Sequence, residues 1–303
     1  MGNYFFSEKR QEVLIMGGYD GDEVVNEVTK MIVEQDGSIR FEASMPMLHP
    51  RCNHFEVPYK GEVLSLSVDC NFRSTVVCYD TSSQKQRTLQ TVFPRDVYNV
   101  CVTEHKHNLC FIDQSGNIYV LKEHPSRSDH GVWVKHEAST NESRRHSAAI
   151  SFEGKLYICG GVGKRSIEVF DPATGTWQLE EEKMNNPRNN FFLYIFEEEL
   201  YAVAGDDYGQ NTTIEKRNKA TKKWEIVADC GQIREDCAVS LVGSNVFLYG
   251  GRYNMFTFDY FDLYTKKWAS QDVGCAYYDV ATRQLPRPVM YSRAVLITSD
   301  SEK

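Results

Sequence analysis

Short apolar runs broken by Gly, Asn, Asp, Glu and Lys recur along the whole chain, and laid on one another they share a frame. Three segments align without gaps: Arg144-Arg-His-Ser-Ala-Ala-Ile-Ser-Phe-Glu-Gly-Lys-Leu-Tyr, Arg188-Asn-Asn-Phe-Phe-Leu-Tyr-Ile-Phe-Glu-Glu-Glu-Leu-Tyr and Arg234-Glu-Asp-Cys-Ala-Val-Ser-Leu-Val-Gly-Ser-Asn-Val-Phe. A fourth, Arg51-Cys-Asn-His-Phe-Glu-Val-Pro-Tyr-Lys-Gly-Glu-Val-Leu, fits the same frame. Each predicts a strand, a turn of two or three residues and a second strand, which is a β-hairpin.

The second strand ends in glycine: Gly17-Gly18, Gly160-Gly161, Ala204-Gly205 and Gly250-Gly251. Glycine there permits positive φ and close backbone approach at a crowded bend. A third strand follows and closes in Phe170-Asp171…Trp177, Arg217-Asn218…Trp224 and Phe261-Asp262…Trp268, with six positions from Asp or Asn to Trp in all three. The Asp or Asn is expected to bond amides of a tight turn, and the Trp to open a fourth strand and cover an interface between sheets. The tryptophans fall 47 and 44 residues apart, near the period of about 40 to 50 that four-stranded propeller blades show.

These marks resemble the kelch repeat, most strongly between Arg144 and Trp268. The resemblance implies an all-β, six-bladed propeller of four-stranded antiparallel blades. The segment from Arg51 keeps Tyr79-Asp80 but has Ser67-Val68 in place of the glycines and Gln86 in place of Trp; such arrays tolerate degenerate repeats because each packs only on its neighbours. Strands at Tyr98–Thr103, Leu109–Ile112 and Asn117–Leu121 form another blade, with Asp113 at the doublet position and Trp133 beyond. The chain opens on a second-strand pattern, Glu12 to Gly18, and ends on an orphan strand, Ser292 to Thr298. That orphan is expected to complete the first blade and leave no open edge at the seam. The expected blades are 11–43 with 290–299, then 48–91, 95–137, 144–182, 187–229 and 233–273, one domain over 1–303.

Composition agrees with this reading. Apolar residues are 41% and aromatics 12%, with 17 Tyr and 16 Phe, side chains that suit a pleated, half-buried surface. A net charge of −8 and a pI near 5.6 argue against a nucleic-acid footprint, which needs a basic stripe. Nine scattered cysteines without a Cys-x-x-Cys pair read as small apolar residues in a reducing compartment. With no apolar leader, no membrane-length apolar run and no myristoylation signal, a cytoplasmic chain is expected, and the sequons at Asn141 and Asn211 read as chance matches.

For function, the topology places the starts of first strands and the ends of second strands on one face. That face is expected to collect Arg51, Arg144, Arg188 and Arg234 around the channel mouth, with Asn53 and Asn190 beside them. The loops after the second strands add Tyr19, Arg73, Arg165, Tyr208, Arg252 and Tyr253. The arginines could instead brace their own blades on loop carbonyls or on acids such as Asp20, Asp206 and Asp207. The set favours a partner site, because guanidinium forks grip carboxylates and Tyr and Arg anchor interfaces. An acidic or phosphorylated protein segment is the expected partner, and Arg144→Ala or Arg188→Ala is expected to weaken its capture with melting nearly unchanged.

His105, His107, His124, His130 and His136 lie close in sequence, but no carboxylate or Cys partner stands at ligand spacing, so no metal and no cofactor is expected. Neither a Gly-x-Ser-x-Gly elbow nor a phosphate loop occurs. The sialidase Ser-x-Asp-x-Gly-x-x-Trp box is also missing, and a non-enzymatic chain is expected. Kelch domains similar to this one form the carboxy-terminal halves of BTB–BACK–kelch adaptors that recruit substrates to cullin-RING ubiquitin ligases. The resemblance therefore implies a substrate-recognition domain, itself monomeric, with a free-standing actin-type scaffold as the alternative.

Overall fold

The alternating apolar runs form strands throughout, and among the described residues there is no helix. The computed structural model describes residues 10–68, 74–89, 91, 101–124, 127–205, 211–231, 233–253, 255–269 and 285–298. Blade one is β1 (Gln11–Tyr19), β2 (Val24–Val33) and β3 (Ile39–Ala43), and blade two is β4 (Phe55–Tyr59), β5 (Glu62–Val68), β6 (Ser74–Asp80) and β7 (Lys85–Leu89). Blade three is β8 (Cys101–His105), β9 (Asn108–Ile112), β10 (Asn117–His124) and β11 (Arg127–Ser139). Blade four is β12 (Ala148–Phe152), β13 (Lys155–Cys159), β14 (Ile167–Asp171) and β15 (Thr176–Leu179). Blade five is β16 (Phe192–Phe196), β17 (Glu199–Val203), β18 (Thr213–Arg217) and β19 (Trp224–Asp229); blade six is β20 (Ala238–Val242), β21 (Asn245–Tyr249), β22 (Phe258–Asp262) and β23 (Lys267–Trp268). The last strand, β24 (Arg293–Thr298), joins blade one on the inner side of β1, giving six antiparallel four-stranded sheets. Six residue pairs, Gln11↔Thr298 through Met16↔Arg293, hold this closure.

The second strands explain how the ring coheres. Each is apolar at nearly every position because both of its faces are buried, one against each neighbouring blade. In β13, Leu156 and Ile158 pack toward blade three, while Tyr157 and Cys159 pack toward blade five. In β21, Val246 and Leu248 face blade five, and Phe247 and Tyr249 face blade one. The described residues accordingly form six apolar clusters, one at each blade interface.

The outer-strand aromatics cover these interfaces as the spacing predicts. Trp133, Trp177, Trp224 and Trp268 each join the cluster shared with the preceding blade. The turn residues behave alike: Asp171 Oδ1 accepts from the Ala173 amide (2.8 Å), Asn218 from Ala220 and Thr221 (both 3.0 Å) and Asp262 from Tyr264 (2.9 Å). In blade two, Gln86 replaces the tryptophan with hydrogen bonds, donating to the Pro46 carbonyl (2.7 Å) and accepting from the Leu48 amide (3.0 Å). Those bonds still tie the outer strand to the preceding connection. Asp113, at the doublet position of blade three, gathers the amides of Ser115 (2.9 Å) and Asn117 (3.0 Å). The predicted start of blade three at Tyr98–Val100 lies outside the described residues.

Candidate functional site

The face where second strands end is built around the glycine doublets. Gly17, Gly160 and Gly250 have φ of 55°, 62° and 60°, and Gly18, Gly161 and Gly251 all have φ of 110°. The second glycine donates its amide to the connection entering the next blade: Gly18 to the Arg51 carbonyl (2.7 Å), Gly161 to Arg188 (2.8 Å) and Gly251 to Val289 (2.8 Å). A Cβ on Gly250 would lie 1.9 Å from the Val289 carbonyl oxygen, so only glycine lets the two backbones approach. The doublet is thus a stitch between blades.

The four repeated arginines lie on this face, yet only 0–2% of each is exposed. Arg188 donates to the Ala204 carbonyl (2.8 Å), the Thr213 carbonyl and hydroxyl (both 2.7 Å) and the Glu215 carboxylate (2.9 Å). Arg144 repeats the pattern with the Gly160 and Ser166 carbonyls (2.8 and 2.9 Å) and Glu168 (3.2 Å). Arg234 bonds the Gly250 carbonyl (3.0 Å) and Asp259, and Arg51 the Ser65 carbonyl (3.1 Å). The expected rim of open guanidinium groups is therefore corrected: these side chains fold under the loops. The physical reason is that the bend leaves carbonyls without strand partners, and a planar five-donor fork satisfies several at once.

The bracing acids are Glu168, Glu215 and Asp259 at the starts of the third strands; Asp20 instead caps its own turn through the amides of Asp22 and Glu23 (both 2.8 Å). Glu168 and Glu215 are wholly buried and also take the backbone amides of Asn141 and Asn185 (both 2.6 Å) from the preceding connection. Blade one uses Arg287, which donates to the Gly17 carbonyl (3.2 Å) and the Thr29 hydroxyl (2.9 Å). Sequence reasoning missed this brace, because two extra residues separate it from its strand. The repeated Pro-Arg dipeptides at 50–51, 187–188 and 286–287 were the available signal.

Two residues after each brace, or two before the inner strand, the chain turns left-handed at the channel mouth. Asn53, His146, Asn190, Asp236 and Tyr291 have φ of 51°, 55°, 49°, 55° and 54°. Their peptides are linked from blade to blade: Asn190 N donates to His146 O (3.0 Å), Tyr291 N to Asp236 O (2.9 Å) and Asn53 N to Tyr291 O (3.3 Å). Non-glycine residues pay ~1–2 kcal/mol for this conformation, and the interblade bonds hold them there. Of their side chains, Asn190 Nδ2 donates to Asp236 (3.0 Å), and Arg252 donates to Asp236 (3.1 Å) and to the Tyr291 hydroxyl (2.7 Å). Burial raises the Asp236 carboxyl above its ordinary pKa and lowers that of His146. Behind the mouth lies an axial channel of about 610 Å³, lined among the described residues by the inner strands of all six blades.

The Kelch motif family matches residues 143–183, a span that holds the Arg144 brace, the Gly160-Gly161 stitch and Trp177. The arginine brace recurs in blades two, five and six, the glycine doublet in blades one and six, and the tryptophan in blades three, five and six. The chain is a six-bladed β-propeller that carries a Kelch motif in its fourth blade. It is similar to spermatocyte protein spe-26 of Caenorhabditis elegans, 28% identical over 118 residues; the match covers 35% of this chain and 20% of that protein's length.

On this propeller, Asn53, Asn190, Arg252 and, through the Met290 carbonyl (2.8 Å) next to Tyr291, the Tyr19 amide converge on the mouth. Arg165 is exposed farther out and donates to the Asn185 carbonyl (3.2 Å). Tyr253 is 66% exposed, as is Phe256 at 51% on the same loop. Arg73 and Tyr208, with Asp206 and Asp207, lie outside the described residues. His146, Asp236, Tyr291 and Phe256 were not foreseen, although the first two occupy the frame position of Asn53 and Asn190.

His105 and His107 do not converge. His105 is buried with Nδ1 2.8 Å from the Ser151 hydroxyl, whereas the His107 side chain is 96% exposed and 3.6 Å from Glu104. Among the described residues no group of three or more His, Cys, Asp or Glu could hold a metal ion. Burial pushes the Cys101, Cys159 and Cys237 thiols up to about 12, so they pack as apolar side chains. No described helix is long and apolar enough to cross a membrane.

Proposed function

We propose that this propeller is a protein-interaction domain whose partner seats on the mouth face, and that it serves as the substrate-recognition part of a cullin-RING ubiquitin ligase adaptor. The observation that carries the first part is the blade-six loop: Tyr253 and Phe256 hold large apolar surfaces in water next to Arg252. Exposed Tyr and Arg side chains beside a concave mouth are the usual anchors of a protein interface. The exposed guanidinium groups of Arg145, Arg165 and Arg252 on mouth-side connections favour an acidic or phosphorylated segment as the partner. The adaptor role rests on the kelch resemblance.

A second reading, a scaffold gripping partners through its blade sides, is favoured by Val132 (65% exposed), Leu179 (48%) and Ile226 (54%) on outer strands. Affinity capture with the 303-residue chain separates the two. The Arg252→Ala/Tyr253→Ala/Phe256→Ala variant is expected to lose the partner, with steep salt dependence of the wild-type complex. A control on the opposite face, Lys85→Ala/Lys223→Ala, keeps it. The captured protein should accumulate in cells when this chain is depleted, as a ligase substrate does. Equal capture by both variants refutes the mouth-face reading, and unchanged abundance refutes the adaptor role.

A further inference from the structure

Among the described residues, Arg293 in the channel has no ion-pair partner. Arg293 opens β24 in blade one, and its guanidinium carbon lies 5.6 Å from the Phe55 ring of blade two and 5.3 Å from the Phe192 ring of blade five. A side chain that reaches a blade two places round the ring must project into the axial space, and Arg293 does line the 610 Å³ cavity. Its hydrogen bond is a long one to the adjacent Ser292 carbonyl (3.3 Å). No carboxylate among the described residues lies within ion-pairing distance of it.

Asp236 and Glu56 are the acids nearest in the electrostatic sense, and Glu56 lines the same cavity. Asp236 takes Asn190 and Arg252, and Glu56 faces His54 at 3.1 Å. The Arg293 environment depresses its pKa chiefly through burial. A guanidinium held between two aromatic rings keeps its fork edge free, because the rings occupy its faces. Arg144, Arg188 and Arg234 each satisfy a carbonyl and an acid; Arg293 offers its donors to the channel.

We propose that the channel binds a carboxylate-bearing ligand, with Arg293 as its anion anchor and Phe55 and Phe192 as apolar walls. A carboxylate would take the two parallel N–H donors that guanidinium forks present. A cavity of about 610 Å³ has the size of a small-molecule site and far exceeds one inserted side chain. The carboxylate could belong to a free small acid or to an acidic residue of the partner on the mouth face; only the second source rests on the interaction reading above.

Calorimetric titration of the 303-residue chain with glutarate and, separately, with the blocked peptide acetyl-Gly-Glu-Gly-Glu-Gly-amide distinguishes these sources. Saturable binding of glutarate alone identifies a free acid, of the peptide alone a partner residue, and of both the carboxylate itself. In each case Arg293→Met should weaken binding about tenfold to a hundredfold, the loss of a charge-assisted hydrogen bond. Because that variant removes an unpaired interior charge, it should melt no lower than wild type. Saturation by neither probe, unchanged binding by Arg293→Met, or a melting point several degrees lower overturns the proposal. Loss of the mouth-face anchors Arg252, Tyr253 and Phe256 leaves the glutarate site intact, so the two readings fail separately.

Discussion

Replacing Arg188 with alanine removes four hydrogen bonds at once, to the Ala204 carbonyl, the Thr213 carbonyl and hydroxyl, and Glu215. Glu215 then remains wholly buried with a negative charge and only the Asn185 and Asn186 groups to solvate it. Removing one member of a buried, hydrogen-bonded ion pair costs ~3–5 kcal/mol, mostly from the charge left behind. With an unfolding entropy of ~2.1 cal/mol/K per residue, 303 residues amount to roughly 0.6 kcal/mol/K. The melting point should therefore fall by about 5–8 °C in differential scanning calorimetry. Adding Glu215→Gln to Arg188→Ala should recover part of that drop, since a neutral amide is cheaper to bury than a carboxylate. Arg145→Ala, at an exposed position one residue past another brace, should stay within ~0.5 kcal/mol of wild type. If Arg188→Ala melts within about a degree of wild type, the bracing argument is wrong and the side chain is available to a partner after all.

Two further outcomes follow from the same geometry. Gly250→Ala sets a Cβ 1.9 Å from the Val289 carbonyl and should disrupt the seam, whereas Gly154→Ala, with φ of 73° and no atom within 4 Å of its Cβ, should cost only the left-handed penalty of ~1–2 kcal/mol; equal melting of the two would refute the stitch. Burial lowers the pKa of His54 and of His146 in the fold, so the unfolded chain takes up those protons first. Their stabilisation is whole above the unfolded value of about 6.5 and is lost as pH falls through it. His54→Asn should flatten that part of the stability profile in pH-dependent melts, and an unchanged slope would exclude His54 as its source. Asp236 acts with the opposite sign lower down, because its raised carboxyl binds its proton earlier in the fold than in the unfolded chain.

The architecture was legible because it rests on local signals: hairpin periodicity, glycine at forced bends, and an orphan final strand with a matching gap in blade one. What the alignment of arginines concealed was their direction. Their bonding partners Glu168, Glu215 and Asp259 stand 24 to 27 residues further on, on third strands whose place in the bend only the folded blade reveals. A repeated trace existed in Ser166-Ile-Glu168, Thr213-Ile-Glu215 and Thr257-Phe-Asp259, a hydroxyl and an acid two apart at the same place in each repeat. Arg293 gave no such trace, since its environment is made by strands from blades two and five. Gln86 shows the converse: a lost tryptophan read as decay, yet its amide restores the tie by other means.

The left-handed positions at the mouth have an evolutionary corollary. Asn, His, Asn, Asp and Tyr occupy the same backbone station in blades two, four, five, six and one, so what these blades share there is a main-chain shape rather than a side chain. Selection can redraw the pattern of charge and aromaticity that a visitor meets, one blade at a time, while the wheel beneath keeps its form.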